Sequence, residues 1–328
     1  MSTSGPDLET QKLIARVLTL HFQEGLSQAE IAKGMNLSTA KVNRLIKQGR
    51  EMGMVEFIIH SPFQRLFELE RALKTHWNLS ECLVVETVSG NPDVILDMVG
   101  KAAANLLESA WPANGRIAIT GGKALSAIAD NISSKEPSGC EVVPLTGGVQ
   151  GHHYTDVNHL ATRIADKIFG RAHLLHAPLH TDAQDERDLL MSVRSVREVM
   201  DKAKSADVAV FGIGSVESDE STYYTAHPLT KDERAELYAS GVRAEFLGHL
   251  IGESGALCDS DLNSRLVSVP LEQAKQIPVR IGVAAGQSKV EPISAVLNGG
   301  LITTLVVDET TAKDLLAFSG AGVLEPGE

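Results

Sequence analysis

The chain has 328 residues, 43% of them apolar and 22% charged, which is enough for one large hydrophobic core and a smaller second domain. No apolar run approaches the roughly 20 residues that cross a bilayer, and no basic start leads into an apolar stretch, so we expect a cytoplasmic protein without membrane contact. The formal net charge of −12 excludes a protein that binds nucleic acid over its whole surface.

The first predicted elements form a small helical domain. Apolar residues recur at helical spacing over residues 8–22, which predicts an amphipathic first helix. Ser27 and Glu30 have the spacing of a capping box at the start of a short second helix. Residues 34–37 are long enough only for a turn, and Ser38 is a favourable cap for a third helix. This succession is typical of a helix-turn-helix.

The third helix would present a basic face opposite its apolar one. Residues 27–50 contain five lysines and arginines against a single glutamate, although the chain as a whole is acidic. Arginine and asparagine can read guanine and adenine in the major groove, while hydroxyls and lysines hold phosphates. A solvated basic surface is the alternative interpretation. The side chains that we predict to contact double-stranded DNA are Ser38, Thr39, Lys41, Asn43, Arg44 and Lys47.

Two elements are predicted between this domain and the rest of the chain. Residues 55–59 favour a short strand that resembles a wing. Apolar residues spaced three and four apart predict an amphipathic helix over Gln64 to Trp77, which would either dock on the following domain or form a dimer contact. We therefore expect a DNA-binding domain at 1–60, a linker helix at 61–79 and a larger domain at 80–328.

Beyond this helix, short apolar runs alternate with helical patterns, which is typical of a parallel α/β domain. The predicted helices include 94–111, 123–132 and 290–297. The predicted strands are Leu83 to Val85, Arg116 to Thr120, Glu141 to Leu145, Leu174 to His176, Val208 to Ile213, Val279 to Ala284 and Ile302 to Val307.

Four of these strands run directly into glycine-rich turns, at 120–123, 146–151, 212–215 and 286–289. The carboxyl ends of parallel strands meet at one edge of a sheet, where α/β proteins bind ligands. Glycines let backbone amides approach a ligand, and a turn followed by a helix start favours an anion. Each turn alone could be an ordinary tight connection. Together with Lys289, the four turns predict one site for a phosphate or an oxygen-rich ligand.

Several motifs resemble those of the SorC/DeoR-type sugar-binding transcriptional regulators over almost the entire chain. The matching segments are Gly25 to Ala32, His176 to Leu179, Ala206 to Val216, Ile277 to Lys289 and Leu301 to Leu316. The resemblance implies a helix-turn-helix fused to a Rossmann-like domain similar to glucosamine-6-phosphate deaminase and ribose-5-phosphate isomerase. It also implies a dimer or tetramer that regulates carbohydrate or polyol catabolism genes under the control of a sugar, sugar phosphate or polyol.

The same resemblance implies an effector site. Its residues would be Gly121, Gly122, Lys123, Gly147, Gly148, Gln150, Glu245 and Lys289. The chain departs from the family pattern at Leu125, where relatives often carry a phosphate-supporting serine or threonine, and at Glu245, where they carry a shorter carboxylate. We therefore expect a modified pocket.

Other interpretations remain open from the residues alone. A sugar-phosphate isomerase or deaminase could use Asp156, Asp182 or Glu245 as a base, and the larger domain could serve oligomerisation only. A metal site is disfavoured because His152, His153 and His159 share one segment and the three cysteines lack C-x-x-C spacing. We expect a regulator with no catalytic residue, metal or cofactor.

Overall fold

The computed structural model describes residues 7–57, 61–133, 138–149, 155–217 and 229–321. The chain divides into two compact units, Met1–Gln64 and Arg65–Glu328. Within the described residues, no helix is long and apolar enough to span a membrane.

The smaller unit contains α1 (Leu8–Leu18), α2 (Gln28–Gly34) and α3 (Thr39–Glu51). Apolar side chains of all three helices form one core. The predicted first helix was too long as an α-helix, because after Leu18 the chain forms a π-helical turn at Thr19–Gln23. The helices α2 and α3 and the turn between them have the predicted helix-turn-helix arrangement.

Local caps define where α2 and α3 begin. Ser27 and Glu30 form the predicted capping box, with the Ser27 N–H donating to the Glu30 carboxylate at 2.8 Å. Ser38 accepts a hydrogen bond from the N–H of Lys41 at 3.2 Å. Gly49 on α3 lets the helix approach α1 closely, since a Cβ there would lie 2.6 Å from side-chain carbons of Ile14 and Leu18.

The predicted wing is wrong in the part that the structure describes. Residues 54–57 adopt no regular structure, and 58–60 lie outside the described residues. Phe57 instead contacts the ring of Phe22 edge-on and lies under the guanidinium of Arg50, 5.5 Å from its ring centre. These side-chain contacts hold the segment against the helices without a strand partner.

The larger unit contributes the remaining helices, numbered in chain order. They are α4 (Gln64–Trp77), α5 (Pro92–Ala110), α6 (Lys123–Asn131), α7 (Val157–Lys167), α8 (Gln184–Ser192), α9 (Arg194–Lys204), α10 (Lys231–Ala239), α11 (Asp261–Ser264), α12 (Leu271–Ala274), α13 (Val290–Asn298) and α14 (Glu309–Phe318). A 3-10 turn at Gln287–Lys289 precedes α13.

Its strands confirm the predicted Rossmann-like α/β class. They are β1 (Glu81–Val85), β2 (Arg116–Ile119), β3 (Glu141–Pro144), β4 (Arg171–Ala172), β5 (Val208–Gly212), β6 (Ala244–Phe246), β7 (His249–Ile251), β8 (Val279–Val283) and β9 (Thr304–Asp308). Within the described residues, seven strands form a parallel sheet in the order β1-β9-β8-β5-β2-β3-β4, and β6 pairs antiparallel with β7.

Apolar side chains cover both faces of the large sheet, because successive residues of each strand point to opposite faces and both faces of a parallel sheet are buried. On β5, Val208 and Val210 belong to one core cluster, while Ala209 and Phe211 belong to the other. Helices α5, α6 and α7 pack on the first face, and α4, α9, α13 and α14 contribute to the second. The sheet is therefore the middle layer of three.

The predicted strand at 174–176 is wrong: the edge strand β4 is Arg171–Ala172, and the following residues are irregular. The amide side chain of Asn158 takes both backbone groups of Leu175, accepting from its N–H at 2.8 Å and donating to its carbonyl at 3.0 Å. These bonds replace the ladder that a longer strand would have made.

Helix α4 has the predicted bounds and packs into the core of the larger unit, to which all its residues after Gln64 belong. Leu66, Leu69 and Leu73 are buried in its core, and the Trp77 indole N–H donates to Asn298 at 2.9 Å. Docking was one of the two predicted roles of this helix, and the dimer contact stays a prediction.

Candidate functional site

The four glycine-rich turns meet in one cavity of about 460 Å³ at the carboxyl edge of the sheet. Ligand pockets for small molecules commonly have volumes of about 300–1,000 Å³. The cavity includes the ends of β2 and β5, adjacent strands from which the chain proceeds to opposite edges of the sheet. Thr120 joins these two ends, because its hydroxyl accepts from the N–H of Gly212 at 3.1 Å. The strand order thus places the cavity where doubly wound sheets bind ligands.

The first turn contributes Gly121, Gly122 and Lys123 to the cavity wall, as predicted from the sequence. Gly122 donates its N–H to the carbonyl of Thr155 at 2.9 Å and is the N-cap residue of α6. Among the described residues, no side chain caps this helix. The start of α6 can therefore offer backbone N–H groups to an anion.

In the second turn, Gly147 lines the cavity and lies close to the backbone of the segment at Pro178. A Cβ at this position would overlap the carbonyl oxygen of Pro178, so only glycine fits. Gly148 is not among the lining residues and instead pairs its backbone with 177–179. Gln150, also predicted for this site, lies outside the described residues.

Glu245 enters the cavity from β6, beside the third turn. Its backbone exchanges two hydrogen bonds with Gly214, at 2.9 and 3.0 Å, and one carboxylate oxygen accepts from the N–H of Gly248 at 2.5 Å. Burial raises the pKa of Glu245 above its usual value, while the Gly248 N–H and the Lys289 ammonium act in the opposite direction. A partly desolvated carboxylate of this kind can accept hydrogen bonds from ligand hydroxyls.

The fourth turn supplies 286–289, including the predicted Lys289, to the same cavity. Asp308, which is almost fully buried, accepts a hydrogen bond from the N–H of Gly286 at 2.9 Å. The hydroxyl of Thr311 accepts from the same N–H at 3.0 Å. Hydrogen bonds to the start of α14 therefore hold this turn in place on the side away from the cavity.

Sequence reasoning missed part of the cavity wall. Asp93 lies in the first turn of α5, so the loop after β1 also reaches this edge. The rule that all carboxyl ends of parallel strands share one edge could have identified it. Thr146, Thr155 and Gln287 add further polar groups. Leu125 is fully buried in the core and does not line the cavity, whereas Lys123 does.

Two of the three carboxylates considered as bases are not among the residues that line the cavity. Asp156 caps α7, accepting from the N–H groups of Asn158 and His159 at 3.0 and 3.1 Å. Asp182 is exposed and does not line the cavity. Among the described residues, no group of three metal-ligating side chains could hold an ion. His152 and His153 lie outside the described residues.

The six side chains predicted to contact DNA lie on or beside α3, and all are exposed. Val42, Leu45 and Ile46 of the same helix are buried against the other two helices. Lys47 forms an exposed ion pair with Glu51 at 3.8 Å. The amphipathic pattern has thus left a polar, basic surface on the second helix of the helix-turn-helix.

Comparisons with family models match both units. Residues 61–317 match the model described as "Putative sugar-binding domain". Residues 15–52, which include α2 and α3, match the model described as "Sigma-70, region 4".

Comparisons with individual proteins found similar transcriptional regulators. The transcriptional regulator LsrR of Escherichia coli O139:H28 is 30% identical over 313 residues, which cover 93% of this chain and 95% of that protein. The full-length sorbitol operon regulator SorC of Klebsiella pneumoniae has a similar structure, with a TM-score of 0.73, 25% identity and coverage of 94% and 99% of the two chains. A transcriptional regulator of Streptococcus pneumoniae gives a TM-score of 0.72 at 26% identity, covering 78% and 98%.

Proposed function

This chain belongs to the family of transcriptional regulators with a sugar-binding domain, and on that premise we propose that it binds operator DNA through α3 and a phosphorylated sugar or polyol in the cavity. The observation that carries this proposal is the convergence of four glycine-rich turns on one cavity within the residues that match the sugar-binding domain.

The groups on the cavity wall favour a ligand with one anionic end and several hydroxyls. Lys123, Lys289 and the start of α6 suit a phosphate, because ammonium groups and helix N–H groups both stabilise negative charge. Asp93 and Glu245 suit hydroxyl donors. We assign the effector to Gly121, Gly122, Lys123, Gly147, Glu245 and Lys289, with Gln150 as a further candidate and Gly148 in a supporting position.

The DNA contacts are proposed on the exposed surface of α3. Arg44 and Asn43 would read base edges in the major groove, and Ser38, Thr39, Lys41 and Lys47 would hold phosphates. Helix-turn-helix proteins bind two half-sites as dimers, so we propose a homodimer or a tetramer in the cytoplasm. Binding rather than turnover is proposed for the larger unit, because the similar proteins are transcriptional regulators. Glu245 is the one of the three candidate bases that lines the cavity, and we propose that it binds ligand hydroxyls.

The test is a thermal-shift screen of the full chain with sorbitol 6-phosphate, fructose 6-phosphate, ribose 5-phosphate and their unphosphorylated parents. A ligand that binds only the folded protein at 100 times its Kd stabilises it by about 2.7 kcal/mol. We expect phosphorylated compounds to raise the melting temperature and Lys289→Ala to abolish the shift. Lys101→Ala is the matched control, because Lys101 is exposed on α5 and does not line the cavity.

Three other results would contradict the proposal in different ways. A shift that survives Lys289→Ala would place the ligand elsewhere. No shift with any compound would reject the sugar-phosphate effector and favour a domain that only oligomerises. Release of phosphate or conversion of the sugar by the purified protein would make it an enzyme.

A further inference from the structure

The fourth turn of the cavity and the start of α14 form one hydrogen-bonded unit. Gly286 donates its N–H to both Asp308 and Thr311, whose side chains are buried. The other carboxylate oxygen of Asp308 accepts from the N–H of Thr311 at 3.0 Å and so caps α14. The Thr311 hydroxyl donates to Asp308 at 2.5 Å. A displacement of the turn by a ligand must therefore strain or move the first turn of α14.

The next residue, Glu309, connects this helix start to α4. Its carboxylate is only 9% exposed and pairs with the guanidinium of Arg65 at 2.9 Å and with the ammonium of Lys313 at 2.7 Å. Burial alone would raise the pKa of Glu309, but the hydrogen bonds from Arg65 and Lys313 lower it, so the group is ionised at neutral pH. Arg65 also pairs with Glu86, which follows β1.

Arg65 is the first residue of the larger unit, and Gln64, the last residue of the smaller unit, precedes it in the chain. Farther along α4, Glu70 accepts from the N–H of Val84 at 2.9 Å, and Lys74 pairs with Glu81 at 2.9 Å. These contacts hold the body of α4 to β1. The ion pair between Arg65 and Glu309 joins the first turn of α4 to the start of α14.

We propose that Arg65 and Glu309 are positioning residues that couple occupancy of the cavity to DNA binding. Through their ion pair, a displacement of the fourth turn and of the start of α14 would change the position of the first turn of α4. This inference rests on the proposed function. A ligand can shift an equilibrium only if it binds two states with different affinity, and here the states differ in whether the Gly286 turn and the first turn of α14 keep their positions. Neither residue touches the ligand, since neither lines the cavity.

The test separates ligand binding from its effect on DNA. For the full chain and three variants, we would measure the Kd of the most stabilising of the three phosphorylated probes by calorimetry. Operator affinity would be measured with and without saturating probe, on an operator selected in vitro from random-sequence DNA. The variants are Arg65→Ala, Arg65→Lys and Lys313→Ala. Lys313→Ala is the matched control, because it also removes one cation from Glu309 but leaves the link to α4.

We expect every variant to bind the probe with a Kd within about twofold of the wild type. The ratio of operator affinities with and without probe should fall by about 2- to 30-fold in Arg65→Ala, which is the range for mutations along a coupling network. Arg65→Lys should give a smaller fall than Arg65→Ala, because the ammonium keeps a positive charge for Glu309. Some fall should remain, because an ammonium cannot reproduce the planar fork that reaches both Glu309 and Glu86. Lys313→Ala should keep the wild-type ratio. Arg65→Ala should fold, because Glu309 retains Lys313.

An unchanged ratio in Arg65→Ala, with probe binding intact, would overturn this inference and leave the proposed function standing. An equal fall in Lys313→Ala would also overturn it, because the effect would then follow the charge balance at α14 and not the link. If Arg65→Ala does not fold, the same two readings are made on Arg65→Lys. If no probe binds the wild type, the proposed function fails and this inference fails with it.

Discussion

The sharpest stability prediction concerns Glu141, the first residue of β3, at the end of the sheet opposite the cavity. Its carboxylate accepts from Arg116 at 2.9 Å, from Lys202 at 3.1 Å and lies 3.0 Å from the ring nitrogen of His173. Burial alone would raise its pKa, but the nearby His173 ring, Arg116 guanidinium and Lys202 ammonium outweigh burial and lower it from 4.5 to about 2.

This lowered pKa sets both the size and the sign of the effect. Each pKa unit corresponds to about 1.4 kcal/mol, so the shift of Glu141 from 4.5 to about 2 stabilises the folded protein by about 3.5 kcal/mol at most. Because its pKa is lower in the folded state, the contribution is complete above pH 4.5 and is lost as the pH falls towards 2. Glu141→Gln should therefore lower stability near neutral pH and have little effect near pH 2.

The assay is urea unfolding of the wild type and of Glu141→Gln, monitored by circular dichroism at a series of pH values between 7 and 2.5. The difference in unfolding free energy should be about 2–3 kcal/mol at pH 7 and should shrink steadily below pH 4.5. Glu198→Gln is the control, because the ion pair of Glu198 with Arg194 is exposed to solvent. A difference that stays constant over this pH range would refute the ionic origin of the effect.

Three further predictions test the other parts of the molecule. Arg44→Ala should weaken operator binding by about 1–3 kcal/mol and relax the preference at one base pair, as measured by fluorescence anisotropy. Lys41→Ala should instead weaken binding to all DNA sequences alike and make its salt dependence shallower. Equal behaviour of both variants would contradict base reading by Arg44. Leu73→Ala should lower the free energy of unfolding in urea by about 2–5 kcal/mol, because Leu73 is fully buried. Thr75→Ala on the same helix is the control and should lower it little, because Thr75 is exposed. A small loss in Leu73→Ala would mean that α4 is not firmly packed on the core. Burial raises the pKa of Glu245, so its ionised form increasingly disfavours folding as the pH rises through that pKa. Glu245→Gln should therefore raise the melting temperature of the ligand-free protein at pH 7 and weaken binding of the phosphorylated probe. A lowered melting temperature would contradict this reasoning.

The features that the sequence predicted correctly depend on residues close together in the chain. The capping box of Ser27 and Glu30 and the cap at Ser38 require only three-residue spacings, and the apolar faces of α3 and α4 follow from helical periodicity. The glycine turns at strand ends belong to this group, because any parallel sheet brings its carboxyl ends to one edge. The basic character of α3 and the location of most of the cavity therefore follow from the amino-acid sequence by itself.

Tertiary structure decided what depends on which distant segments become neighbours. The strand predicted at 174–176 is absent because the amide of Asn158 takes the backbone groups of Leu175, and periodicity carries no information about that side chain. Asp93 joins the cavity because of where β1 stands in the sheet. Arg65 and Glu309 are separated by 244 positions in the chain. They meet only because β1 pairs with β9, which brings the residues before the first strand to the helix after the last, and no local pattern encodes that order.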